Sequence, residues 1–210
     1  FGAAVLSFGG GFPDVASPAA VRAWELFVRM RPALAPAAKT YDTVVPPMKR
    51  GEAWLTVTHN ARVGEIYASN PTRFVIAPAP RGEAGIGSVA GVSGFGILRG
   101  APQRELALDF IEYMTRPDIQ LALAKGTGGF VPPVEEAIEL LGESVQDEVI
   151  RKAVTVLEQG RLAFVPAVRD WGSVARVFDE TFDTIVMREQ AVSARVLREA
   201  QGRIDALMEP

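Results

Sequence analysis

The stretch Phe110–Pro133, FIEYMTRPDIQLALAKGTGGFVPP, decides how the chain is read. Phe110, Ile111 and Met114 continue an apolar stripe at helical spacing that begins at Leu106, and Thr115-Arg116-Pro117 interrupts it. Proline lacks the N–H of a helix interior but suits a first helical position, and glycine suits the position after a helix end. Pro117 and Gly126 therefore predict a helix over Arg104–Thr115 and a short second one over Asp118–Lys125, set at an angle to the first. The elbow aims the glycine loop GTGGF, which Pro132 and Pro133 close.

Outward from this stretch, Ser17-Pro18 marks a helix start, and Val21, Trp24, Phe27 and Val28 recur at helical spacing to about Arg31. A connector holding Pro32, Pro36, Pro46 and Pro47 follows. AWLTVT (53–58) then reads as a buried strand, Asn60 as the cap of a helix over Ala61–Ser69, and FVIAPAP (74–80) as a second strand. The three together predict a β-α-β unit with parallel strands. RGEAGIGS reads as a loop and VAGVSGFGILRG (89–100) as a strand passing close to another backbone or a ligand. Ser144 with Asp147 three residues on has the form of a capping box opening a helix through Glu158. After the apolar segment LAFVPAV, helices are expected over about Trp171–Arg188 and Ser193–Met208.

The composition narrows the chemistry. The 210 residues are 48% apolar and 22% charged, enough for a sizeable core. Lys and Arg number 22 against 25 Asp and Glu, a net charge of -3, so the chain has no global basic field for nucleic acid. The absence of Cys removes disulfides, thiolate metal sites and a cysteine nucleophile, and leaves the redox compartment open. No apolar run approaches the roughly 20 residues of a membrane helix.

Candidate catalytic chemistry is sparse. HExxH, GxSxG, GxxxxGKS and EF-hand spacings are missing, and the single His59 makes no metal site by itself, so no catalytic residue, metal or cofactor is expected. His59 reads either as a polar residue at a strand end or as a ligand contact. GIGSVAGVSGFG lacks the strand-then-helix context of a dinucleotide site. Glu135-Glu136 and Asp179-Glu180 read as solvated helix faces. Trp24 and Trp54 are expected in the core, whereas Trp171 reads equally as a hydrophobic staple or a ligand platform. What remains is a set of turns, SFGGGF, THNAR, AGIGS, GTGGF and AVRDW, of the kind that line a concave binding site at strand ends.

The order of these segments resembles the extracytoplasmic solute-binding proteins of ABC importers, especially the sugar-binding family. FPDVASPAAVRAWELF looks like the family's Ser-Pro helix start, MKRGEAWLTVT its glycine-then-strand segment, and RFVIAPAPRGEAG its following strand and loop. SGFGILRGAPQRELALDFIEYMTRPDIQLALAKGTGGFVPP resembles its strand, broken helix pair and glycine loop. VSARVLREAQGRIDALM resembles its terminal helix.

The resemblance implies an α/β fold of the type II periplasmic-binding class, in which two hinged lobes close on a ligand. It assigns 1–88 to the second lobe, 89–134 to an excursion into the first lobe, and 135–210 to the C-terminal helices of the second. Only the second half of such a protein is then represented: most of the first lobe, the export signal and any lipid-bearing cysteine would precede Phe1, and self-association is expected if that lobe is absent. The implied function is a non-enzymatic receptor, periplasmic or at the cell surface. It would capture a small solute, foremost a sugar or oligosaccharide, and deliver it to membrane permease subunits. From their positions at predicted strand ends and helix starts, the expected ligand residues are His59, Asn60 and Arg62 for polar contacts, Gly128 and Gly129 for close backbone approach, Arg169, Asp170 and Trp171 near the hinge and cleft, and Phe8 and Phe130 as further stacking surfaces beside Trp171. One departure is notable: where sugar-binding members often place an aromatic residue, this turn reads His59-Asn60-Ala61-Arg62. Arg62 is either solvated or a partner for a carboxylate or phosphate, so a polar or anionic solute stays open beside sugar. An enzyme or a signalling sensor on the same scaffold are the rival classes.

Overall fold

The computed structural model describes residues 1–35, 38–189 and 191–209. Its helices are α1 (Gly2–Ser7), α2 (Pro18–Met30), α3 (Val45–Arg50), α4 (Asn60–Ser69), α5 (Arg104–Met114), α6 (Pro117–Gly126), α7 (Glu135–Glu139), α8 (Val145–Gln159), α9 (Trp171–Phe182) and α10 (Ala194–Met208). Strands β1 (Arg81–Gly82), β2 (Gly85–Ala90) and β3 (Arg161–Phe164) form one sheet in that order. The chain is thus of mixed α/β class.

Two compact units divide the chain. The first comprises Phe1–Pro36, Ala79–Val92 and Gln159–Pro210, and the second Ala37–Pro78 and Ser93–Glu158. Compactness follows static packing, whereas a lobe is defined by the hinge about which it moves. The unit boundaries therefore describe a different property from the lobe division at 88/89 and 134/135.

In the first unit, β1 and β2 form a short antiparallel hairpin, and β2 pairs in parallel with β3 from Gly87 opposite Arg161 to Ala90 opposite Phe164. Helix α1 lies directly on this sheet: the Ser7 hydroxyl accepts from the Gly87 N–H at 2.8 Å, and a side chain at Gly82 or Gly87 would strike the α1 backbone. The core is aromatic and β-branched. Trp24 is fully buried, stacks on Phe1 with ring centroids 4.0 Å apart, and donates its indole N–H to the Val15 carbonyl. Val174, Val177, Ile185, Val186, Leu197 and Ile204 complete the cluster. Side-chain caps start three helices here: Ser17 accepts from Ala20 N–H, Asp170 from Ser173 N–H and Ser193 from Val196 N–H. The expected helix from Trp171 holds through Phe182 and continues as a π-helical segment, Asp183–Glu189.

In the second unit, Arg116 adopts an extended backbone (φ -60°, ψ 140°) between α5 and α6, which is the elbow expected at Thr-Arg-Pro. Leu121, Ala124, Ala137 and Ile150 pack α6, α7 and α8 together. A second cluster, Val45, Met48 and Ile66, joins α3 to α4 and holds Phe74 at its edge. Ser144 and Asp147 cap α8 reciprocally, as expected.

Several sequence-based expectations need correction. Ala53–Thr58 and Phe74–Pro80 are irregular and unpaired, so no β-α-β unit forms; β-propensity reports fit to a pleated, half-buried surface, and neither segment has a ladder partner here. Instead Ala53 and Phe74 edge the second cluster, and the Ile76 carbonyl accepts from Lys152 at 3.0 Å. Trp54, expected in the core, is 91% exposed. Of 89–100, only Val89 and Ala90 are in a strand, while RGEAGIGS, expected as a loop, supplies the hairpin. The proline-rich connector contains α3, because Pro46 and Pro47 occupy first-turn positions whose N–H groups a helix does not use. The apolar face expected on α5 is not buried: Leu106 and Phe110 are exposed, and Phe110 meets Phe95 edge-on at 5.5 Å.

Candidate functional site

Six of the ten expected ligand residues fall at one corner of the second unit. His59 is the residue before α4, and its carbonyl accepts the Arg62 and Val63 N–H groups at 2.9 and 3.1 Å. The cap expected of Asn60 is not made: Asn60 is the first helical residue, and its side-chain N–H donates across to the Gly129 carbonyl. A cap would need Asn60 to stand just outside the helix with its side-chain oxygen accepting a backbone N–H, and as the first helical residue Asn60 instead uses its amide N–H as a donor toward the glycine turn.

The turn follows from α6. Gly128 and Gly129 have φ of +85° and +107°, values that an L side chain rarely adopts. They fold the chain back so that their N–H groups donate to Lys125 and Ala124 carbonyls at 3.2 and 2.8 Å. Phe130 then emerges with 57% of its surface exposed. Arg62 is exposed and reaches Glu65 at 3.5 Å.

Two features behind the turn were not read from the sequence: the place of Gly64, and the pairing of the capping residue Asp147 with Lys125. Gly64 is buried inside α4, and any Cβ there would overlap the Gly128 carbonyl oxygen. Its signal was available, since a glycine in a helix interior costs about 1 kcal/mol relative to alanine and needs a packing reason. Asp147 is buried at the start of α8, 2.7 Å from the Lys125 ammonium in the last turn of α6. Burial pushes its carboxyl pKa up, but Lys125 and the Ser144 hydroxyl and N–H outweigh that and hold it at about 2. Tyr67 of α4 donates to Glu148 of α8 at 3.0 Å, and that bond raises the phenol pKa.

The other four expected residues belong to the first unit. Phe8 ends α1, with the Arg22 guanidinium 5.2 Å from its ring centroid and donating to its carbonyl at 2.7 Å. Arg22 also pairs with Glu83 at 2.6 Å. Arg169 is exposed. Asp170 directs its carboxylate to the Ser173 hydroxyl and N–H, and these bonds lower its pKa. Trp171 is the first residue of α9 and packs on the core, partly buried, with its ring 5.6 Å from Phe12.

The second-unit corner is a capped turn bearing an aromatic group, an imidazole and a guanidinium around a fixed backbone. Its inventory suits binding. The sequence profile of the bacterial extracellular solute-binding proteins matches residues 2–153, well over half of the chain. The protein belongs to that family. Its role is accordingly to bind a solute outside the cytoplasm, and proteins of this family are in general binders rather than enzymes. Comparison with curated proteins gives no match.

Proposed function

We propose that the protein is the receptor subunit of an ABC importer, which captures a sugar or oligosaccharide and passes it to membrane permease subunits. The observation that carries this reading is the convergence of His59, Asn60, Arg62 and the Gly128–Phe130 turn at one corner, within a chain of the solute-binding family. Phe130 serves as the stacking face, a place that the sequence lacks at His59-Asn60-Ala61-Arg62, and His59 supplies a polar contact. Pairing of Arg62 with Glu65 favours a neutral solute over an anionic one, because a carboxylate ligand would compete with an acid already in place.

The mechanism is lobe closure in a type II architecture, with 89–134 as the excursion between lobes and Phe8, Arg169, Asp170 and Trp171 as the contribution from the rest of the chain. Contacts made only in the closed state draw the equilibrium toward it, and the permease selects that state. Attachment to the membrane through a lipid is part of the same proposal. The test is mass spectrometry of the solute that copurifies with the full-length protein, followed by calorimetric titration. Phe130→Ala is expected to weaken binding roughly tenfold. Unchanged affinity in Phe130→Ala, His59→Ala and Trp171→Ala together refutes the assignment, and turnover of the solute would move the protein to the enzyme class.

A further inference from the structure

The glycine turn touches its surroundings on three sides. Toward α4, the Gly128 carbonyl lies against Gly64, and in return a Cβ on Gly128 would stand 2.9 Å from the Ala61 carbonyl. Toward α8, a Cβ on Gly129 would stand 2.8 Å from Val149 Cγ1. Between them, the Asn60 amide donates to the Gly129 carbonyl, and the two turn N–H groups are bonded back to α6. The two glycines let α4 and α8 approach the turn's backbone closely. With both N–H groups and the Gly129 carbonyl engaged internally, the turn offers solvent its next side chain, Phe130.

We propose that Gly64 and Asn60 are positioning residues for Phe130: they lock the 127–130 turn onto α4, so that recognition at this corner goes through an aromatic face and not through backbone hydrogen bonds. The solute class this selects is one presenting a flat apolar face, such as the C–H face of a pyranose. The inference rests on Phe130 being a ligand contact. Gly64 acts by having no side chain, and Asn60 by donating across the gap. Neither touches the solute in this scheme.

The full chain is compared with Gly64→Ala, Asn60→Asp and Gly202→Ala, the last a control on α10 where a Cβ meets open space. Amide exchange at Gly129 and the aromatic ¹³C–¹H signals of Phe130 report the turn, and amide exchange at Leu121 and Ile150 reports the core beneath it. Gly64→Ala is expected to speed Gly129 exchange roughly tenfold and to average the Phe130 ring signals, with Leu121 and Ile150 as protected as before. Gly202→Ala should move none of these. Unchanged Gly129 and Phe130 signals in Gly64→Ala and Asn60→Asp overturn the proposal, as does protection lost equally at Leu121 and Ile150, which would make Gly64 a core residue only. Should Gly64→Ala not fold, Asn60→Asp decides alone, since it keeps the side-chain size and removes the donor. Failure of the receptor reading has a different signature: the lock responds as expected, yet Phe130→Ala binds the solute identified by mass spectrometry as tightly as the parent.

Discussion

Replacing Asp147 by Asn removes the buried charge of a pair whose other member, Lys125, is partly exposed, and leaves the shape nearly intact. Asp147 is 1% exposed and sits 2.7 Å from the partly exposed Lys125 ammonium, so salt and water screen the pair less than they would a surface pair. Its pKa of about 2 in the fold, against an ordinary 3.8, corresponds to about 2 kcal/mol of stability at neutral pH. The sign follows from the direction. A depressed carboxyl pKa contributes fully above its ordinary value, and that contribution fades as pH falls from about 4 through about 2. The assay is amide exchange at Ile150, buried in the same helix, in the parent and Asp147→Asn from pH 7 to pH 2, supported by urea unfolding. The expected difference is about 2 kcal/mol at pH 5–7, shrinking toward zero near pH 2. A difference that is absent at pH 7, or that stays constant down to pH 2, refutes the reading that Lys125 and Ser144 together hold Asp147 ionised in the fold.

Helix propensity alone has Gly64→Ala and Gly202→Ala each gain about 1 kcal/mol, but the overlap with Gly128 reverses the first into a loss of about 1–3 kcal/mol; urea midpoints of both variants read the sign. Ser17→Ala forfeits the cap that holds the Ala20 N–H and is expected to cost about 1 kcal/mol in the first unit, measured by thermal unfolding. Trp24→Ala empties the most buried aromatic position and breaks its bond to Val15, at a cost of about 3–5 kcal/mol. If Trp24→Ala unfolds no more readily than Ser17→Ala, the first-unit core is wrongly placed.

What the sequence disclosed and what it hid separate along the range of the interactions. Helices α2, α5, α6, α8 and α10 were legible because caps such as Ser17 and Ser144, the break at Arg116-Pro117 and the apolar periods all act within a few residues. The strands were not, since a strand exists only with a neighbour. AWLTVT has the composition of a strand and no ladder, while the glycine-rich GIGSVA has a poor composition and pairs on both edges. At the site, the turn residues and the start of α4 were legible as chain reversals. Their partners were not: Asn60 reads as a helix cap until Gly129 is seen beside it, 69 residues away in sequence. Asp147 likewise reads only as a capping residue for its own helix, and its pairing with Lys125 shows once the helices that carry them are packed.

These distant pairings explain why a helix should stop at Arg116 and start again. The elbow frees α6 to run in its own direction, and the last turn of α6 then brings Lys125 to Asp147 and the glycine turn to α4. An uninterrupted helix through 104–126 would carry Lys125 roughly 16 Å along the axis from Met114, at 1.5 Å per residue, with its direction dictated by α5 instead of by α8. With the break in place, α4 and α8 close on the turn that α6 delivers, each by different means: α4 through the missing side chain of Gly64 and the Asn60 donor, α8 through Val149 against Gly129 and Asp147 against Lys125, and α6 through backbone hydrogen bonds. A turn held in this redundant way gains little further order when a solute arrives. If Phe130 is the ligand contact proposed above, the turn's contribution to affinity comes from what that ring touches and loses little to conformational entropy, which is the condition under which one exposed aromatic ring can discriminate among solutes.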